Sequence, residues 1–118
     1  MGVNAVSEQR VQTQPNHFRV PDLTILRSGT PRERILTQPP LLVIETQSPE
    51  DTLRRTAAKA AEYLAFGIEK VWIIDPAGRV GYRGTANGLE LARSGELAIP
   101  NTPIRIVLAD LFTELDRV

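Results

Sequence analysis

The sequence contains no cysteine and a single histidine, His17. The absence of cysteine excludes both a disulfide framework and a thiolate zinc site. One imidazole also argues against a metal cluster built on histidine, because such sites combine several nitrogen or sulfur ligands. Candidate metal ligands are therefore sought among the acidic residues.

Net charge is absent too, since fourteen basic and fourteen acidic residues cancel. No strong overall field draws the protein to DNA or to an anionic membrane, so nucleic-acid binding would need a local basic patch. The longest apolar runs, at 41–44 and 71–74, are far shorter than the ~20 residues of a membrane helix. The N-terminal stretch also lacks the apolar core of a signal peptide. We expect a cytoplasmic protein with no membrane segment.

The chain of 118 residues, 42% of them hydrophobic, is long enough for one core. Residues 1–17 are mostly polar, show no hydrophobic period and include three glutamines. This composition predicts a flexible N-terminal tail, or an arm that waits for a partner. Residues 18–118 are then expected to form a single domain.

Two apolar segments predict the central strands of a sheet. Residues 22–26 are rich in β-branched and apolar side chains, and residues 41–45 form a run typical of a strand buried on both faces. The connection at 27–40 contains one glycine, three prolines and several charges, which indicates a loop or an extended hairpin connection.

The pairing of these strands determines where their acidic residues lie. If they form an antiparallel pair with Leu26 opposite Leu41, Asp22 falls directly opposite Glu45. Their Cα or Cβ atoms would then be about 4.5–5.5 Å apart.

A helix is predicted after the second strand. Ser48 offers a capping hydroxyl, Pro49 suits a first helical position, and the two acids that follow complement the helix dipole. Gly67 provides the end of the helix. One apolar face is then expected to pack on the sheet, formed by Leu53, Ala57, Ala60, Ala61 and Leu64.

The remaining pattern completes an α/β fold. Residues 71–74 are a second continuous apolar run, and the order strand, helix, strand predicts a right-handed parallel crossover onto the strand at 41–45. A turn at 75–78 leads into a hairpin. Short strands and a closing helical turn are predicted at 80–83, 89–92, 96–99, 104–108 and 108–112. The expected fold class is therefore a mixed β-sheet with one main helix, at about 52–66, and a C-terminal β-hairpin region.

Three residues could supply phosphodiester chemistry. Two carboxylates at adjacent strand ends can hold a hard divalent ion, and a nearby cation can stabilise developing negative charge. Asp22, Glu45 and Lys59 fit these roles. The alternative is that both acids are ordinary polar strand ends and that Lys59 is a solvated lysine. Glu45 ends a wholly apolar strand, where a buried and unpaired acid would be costly.

The cations of the predicted helix raise a question of distance. If the helix begins at Pro49, Lys59 lies ~15 Å along the axis from the end nearest Glu45. A start near Thr52, or a helix that crosses over the strand pair, would bring it within reach. Arg54 and Arg55 are candidate phosphate contacts, although adjacent charges on an amphipathic helix are also typical of its solvated side.

These residues carry a resemblance to a known family. The segments are Arg19-Val20-Pro21-Asp22, Leu42-Val43-Ile44-Glu45 with Ser48-Pro49, then Lys59, Tyr63, Gly67 and Val71-Trp72-Ile73-Ile74-Asp75-Pro76. Together they resemble the bacterial Uma-type family of restriction-endonuclease-like proteins in the PD-(D/E)XK nuclease superfamily. The resemblance covers residues 18 to about 112, and it depends on the order and spacing of the segments rather than on any single motif.

The resemblance implies roles for individual residues. Asp22 corresponds to the Asp of the PD element and Glu45 to the second metal-binding acid, with Mg²⁺ as the ion and Mn²⁺ as a substitute. Lys59 corresponds to a lysine moved from the strand to the helix, because Gln47 occupies the more common lysine position. Gln47 and Tyr63 are accessory candidates.

The same resemblance implies a function, and the chain differs from the family in one respect. The function is a divalent-metal-dependent endonuclease that cleaves DNA; the alternative is a catalytically degenerate nuclease fold that binds nucleic acid or protein. The helices that precede the PD strand in the family are missing, which would leave a sheet face uncovered. That face predicts self-association, most simply as a homodimer.

Overall fold

The computed structural model of the protein describes residues 3–7, 9–15, 17–19, 21–30 and 33–117. The first strands along the chain are β1 (Val3–Ser7), β2 (Arg10–Gln14), β3 (His17–Arg19), β4 (Leu23–Arg27), β5 (Ile35–Leu36) and β6 (Leu42–Thr46). Helix α1 (Leu53–Phe66) follows, and then β7 (Lys70–Asp75), β8 (Val80–Thr85), β9 (Gly88–Leu91), β10 (Glu96–Ala98), β11 (Arg105–Val107) and helix α2 (Leu108–Asp116). Neither helix in these ranges has the length and apolarity needed to span a membrane.

The central sheet has six strands in the order β1-β4-β6-β7-β8-β9. β6 and β7 are parallel and the other neighbours are antiparallel, so the predicted mixed sheet is confirmed. In the β4–β6 pair, Leu23 lies opposite Ile44 and Ile25 lies opposite Leu42. This is the register expected from the sequence. One residue further along the same register, Asp22 lies opposite Glu45.

The helix and the C-terminal elements cover opposite faces of this sheet. Alternate residues of a strand point to opposite faces, and in β7 Ile73 joins the cluster under α1 while Trp72 joins the cluster under α2. Leu97 of the small β10–β11 sheet extends the second cluster. Both faces are therefore covered among the described residues. The expectation of an uncovered face is wrong, and the homodimer stays a prediction without that support.

The described residues of the N-terminal segment also differ from the predicted flexible tail at 1–17, of which residues 1, 2, 8 and 16 lie outside the described ranges. β1 forms the edge of the main sheet against β4, and β2 lies between β3 and β5 in a second, three-stranded sheet. Val11 has no exposed surface and packs with Leu26 and Leu36. The segment is mostly polar because its strands bury few side chains, while backbone pairing provides order that composition does not reveal.

Helix α1 begins later than the serine and proline suggest. The Oγ1 atom of Thr52 accepts a hydrogen bond from the backbone N–H of Arg55 at 3.1 Å, which makes Thr52 the N-cap. Ser48 instead donates to Asp51 in a preceding turn, through its backbone N–H at 3.0 Å and its hydroxyl at 2.9 Å. The helix ends at Gly67 with φ +110°, as predicted.

The buried face of α1 is rotated from the predicted one. Its buried residues are Thr56, Ala60 and Tyr63, whereas Leu53 is 51% exposed. Helix α1 lies close to strand β8 at Ala60. A glycine permits this contact, since a Cβ atom on Gly84 would lie 3.0 Å from the Cβ of Ala60. The rotation turns Lys59 and Tyr63 toward the end of β6.

Candidate active site

Glu45 is the centre of the candidate site. It is the fourth residue of β6 and only 8% of its surface is exposed, despite its charge. A buried carboxylate needs donors, because water no longer supplies them. Its position on the α1 face follows from the strand alternation that also directs Val43 toward the helix.

Two residues of α1 provide those donors. The Nζ atom of Lys59 donates to Oε2 of Glu45 at 3.0 Å, and the hydroxyl of Tyr63 donates to Oε1 at 3.1 Å. Residues four apart lie on the same face of a helix, so one helix surface contacts both oxygens. The later start of α1 and its rotation remove the distance problem posed by a start at Pro49.

Asp22 lies at the neighbouring strand end. Its Oδ2 atom accepts a hydrogen bond from the backbone N–H of Thr46 at 2.6 Å, which fixes the side chain across the end of β6. The negative charge of Asp22 also raises the pKa of Glu45, so the two carboxyl groups are within electrostatic reach. The structure thus brings together the three residues that the sequence identified for chemistry.

The surroundings of Glu45 raise the pKa of its carboxyl group even though Lys59 contacts it. Burial raises its pKa above the ordinary value, and Asp22 adds to this increase. The hydrogen bond and charge of Lys59, followed by the hydrogen bond from Tyr63, lower the pKa but do not cancel the increase. A divalent cation beside the two acids would favour their charged forms.

Tyr63 acts as a donor only. It is 1% exposed, and burial together with the adjacent Glu45 charge raises the pKa of its phenol far above the ordinary value. We therefore assign the hydroxyl as a hydrogen-bond donor to Glu45 and not as a general base.

Gln47 lies outside this group of contacts. Its amide NH₂ donates to the backbone carbonyl of Asp51 at 3.1 Å, and its amide oxygen accepts from the hydroxyl of Thr56. Gln47 therefore joins the end of β6 to the beginning of α1. Thr56 was not identified from the sequence, although a polar residue one turn after the N-cap was the available signal.

The two arginines of α1 occupy different surroundings. Both are exposed, but Arg55 lines a groove together with Lys59, and Arg54 does not. Arg19, which the sequence supplied only as part of the resemblance, lines the same groove. Its guanidinium makes two hydrogen bonds to Glu62, at 3.0 and 2.9 Å.

Asp22 and Glu45 are the residues of this site whose oxygens could hold a metal ion. No group of three or more histidine, cysteine, aspartate or glutamate side chains that could hold a metal occurs in the described part of the chain. Mg²⁺ commonly uses one or two carboxylates and completes its shell with water and substrate phosphate. Asp22 and Glu45 offer that number of carboxylates.

Comparison with known proteins agrees with the fold. Residues 1–99 match the Uma2 family, described as "Putative restriction endonuclease". The crystal structure of a "putative nuclease belonging to DUF820" from Anabaena variabilis ATCC 29413 matches with a TM-score of 0.76 and 24% identity, over 96% of this chain and 69% of that chain. At this identity the likeness shows a shared fold. No curated protein matches the chain.

Proposed function

We propose that this chain, which belongs to the Uma2 family of restriction-endonuclease-like proteins, is a divalent-metal-dependent endonuclease that hydrolyses phosphodiester bonds of DNA. Family membership and the nuclease fold support a nuclease in general. The metal, the DNA substrate and the residue roles are our proposal, and they are argued from the geometry around Glu45.

The observation that carries the proposal is the combination of Asp22 and Glu45 at adjacent strand ends with Lys59 bound to Glu45. A structural role alone explains this arrangement poorly, because a buried carboxylate with a second carboxylate nearby is unfavourable for stability. Perturbed acidic groups of this kind are frequent at functional sites.

In the proposed mechanism Asp22 and Glu45 would hold Mg²⁺, or Mn²⁺ in its place. The chemistry that such an ion would supply here is polarisation of the phosphate and activation of water. Tyr63 keeps one oxygen of Glu45 oriented by its hydrogen bond. The Lys59 ammonium, at 3.0 Å from the other oxygen, supplies positive charge where negative charge develops during hydrolysis.

The test combines metal binding with DNA cleavage. Mg²⁺ and Mn²⁺ are titrated by calorimetry into the wild type and into Glu45→Ala, Glu45→Gln and Asp22→Asn, and plasmid cleavage is measured on the same samples. Glu45→Gln preserves shape and removes the charge. We expect all three variants to lose metal binding and cleavage while their circular dichroism spectra stay unchanged.

A remote carboxylate provides the matched control. Glu90 on β9 is exposed and pairs with Arg83 at 3.7 Å, so Glu90→Gln should leave metal binding and cleavage unaltered. Undiminished cleavage by Glu45→Ala would refute this site. Metal-independent DNA binding by the wild type, without cleavage, would instead favour the degenerate binding module. Gln47 is the feature that favours this second function. It occupies the position at which the superfamily more commonly has a lysine, and its amide contacts Asp51 and Thr56 instead of the site.

A further inference from the structure

A groove of about 440 Å³ adjoins the candidate site on the α1 side. Its lining residues are Arg19, Asp51, Arg55, Ala58, Lys59 and Glu62. Because Lys59 lines the groove and also contacts Glu45 at 3.0 Å, the groove adjoins the Lys59–Glu45 pair. A substrate bound at Glu45 can therefore extend into it.

The charged groups in this groove differ in how far they are already paired. Glu62 is bound by Arg19 and by the hydroxyl of Thr13. Asp51 is bound by Ser48, which lowers the pKa of its carboxyl group. Both acids in the lining are therefore held by donors of the protein itself.

The cations retain capacity for a ligand. Arg19 uses two nitrogens for Glu62, and a guanidinium has five N–H donors, so further donors remain in a fixed orientation. Arg55 makes no salt bridge within 4 Å to a residue that the structure describes, and its charge acts on Asp51 only at longer range. Its backbone N–H is used at the N-cap. The lining has three cations and two acids, so in a chain without net charge this groove has a small local excess of positive charge beside the Lys59–Glu45 contact.

We propose that the groove binds the backbone phosphate next to the one that is cleaved, with Arg55 as its charged contact and Arg19 as a preoriented donor. This inference rests on the proposed function, because the cleaved phosphate is placed at Asp22 and Glu45. It specifies the substrate class as a polynucleotide, since an isolated phosphodiester has no second phosphate to occupy the groove. Arg54, which does not line the groove, has no part in it.

The experiment compares Arg55→Ala with Arg54→Ala. Both residues are exposed arginines in the first turn of α1, so the two substitutions have matched effects on helix charge and folding. Binding to a fluorescein-labelled DNA duplex is measured by anisotropy in EDTA over a series of salt concentrations. Hydrolysis of the same duplex and of bis(p-nitrophenyl) phosphate is measured with Mg²⁺.

We expect Arg55→Ala to weaken duplex binding about tenfold and to reduce the slope of log K against log salt by about 0.9, the value for one phosphate contact. Its loss of rate should be several-fold greater on the duplex than on the small diester. Arg54→Ala should match the wild type in binding and slope. Thermal unfolding of both variants serves as the control for folding.

Three results would overturn the inference. Equal effects of the two substitutions would indicate diffuse attraction by the helix. An equal loss of rate on both substrates would place Arg55 at the cleaved phosphate. Absence of duplex binding by the wild type would leave the groove without this ligand. A wild type that binds duplex but cleaves neither substrate would refute the proposed nuclease function, while the change in salt slope would still decide the role of the groove.

Discussion

The contact between Lys59 and Glu45 allows one prediction to be developed quantitatively. Lys59→Met keeps the length and apolar stem of the side chain and removes its charge. Glu45 would then retain Tyr63 as a donor but lose the ammonium 3.0 Å from its Oε2 atom. Its buried negative charge would be left less compensated, and the folded protein should be less stable wherever Glu45 is ionised.

The size of this effect follows from burial and exposure. The side chain of Glu45 is 10% exposed and that of Lys59 is 33% exposed, so the pair is screened by solvent on one side only. A hydrogen bond to a charged group contributes about 1.5–3 kcal/mol, and partial exposure favours the lower half of that range. We expect Lys59→Met to lower the free energy of unfolding by about 2 kcal/mol at pH 8.

The pH dependence gives the sign of the effect. The folded-state pKa of Glu45 is raised, so its contribution to stability is fully present below the unfolded value of 4.5 and is lost as the pH rises through the folded pKa. Removing Lys59 raises the folded pKa further. The cost of Lys59→Met should therefore be near zero at pH 4 and reach its full value only above both folded pKa values.

Urea unfolding at pH 4 and pH 8 measures this cost. The panel contains the wild type, Lys59→Met, Glu45→Gln and the double variant, which isolates the pairwise energy. Lys70→Met is the matched control, because the other lysine of the chain makes no ion pair with a described residue. A cost that persists at pH 4, or is undiminished in the Glu45→Gln background, would refute the argument.

Three further predictions concern the elements that position the site. Thr52→Ala removes the N-cap of α1 and should lower the free energy of unfolding by about 1 kcal/mol in urea titration; an unchanged midpoint would contradict the capping role. Gly84→Ala brings a Cβ atom to 3.0 Å from that of Ala60, and this overpacking should cost about 1–3 kcal/mol, whereas a gain in melting temperature would show that α1 moves away freely. Tyr63→Phe removes the donor to Glu45 and should weaken Mg²⁺ binding several-fold in calorimetry; unaltered affinity would show that Glu45 is oriented without it.

The strand pair and its acids could be predicted because local pattern specifies them. A continuous apolar run ends at Glu45, and a short β-rich segment begins at Asp22. Once the strands are paired, a period of two residues determines which side chains meet. The restriction-endonuclease-like fold followed from the order of the same segments.

The features that were missed depend on contacts between distant parts of the chain. The buried face of α1 depends on Gly84 in β8, and a helical wheel shows only the residues of the helix itself. Tyr63 and Thr56 were therefore not assigned to the core side. Strands β1 and β2 depend on pairing with β4 and β5 rather than on their own apolar content. The separation of Arg55 from Arg54 likewise requires the groove formed with Arg19.

The division of the site between sheet and helix has a consequence for how such sequences can diverge. The positions of Asp22 and Glu45 are set by a strand register that the whole core enforces, whereas Lys59 and Tyr63 are set by the rotation of one helix. Substitutions that shift α1 can therefore retune or remove the donors without disturbing the acids. We therefore expect that the donors on the helix can be redesigned in the laboratory while the positions of the two acids are kept.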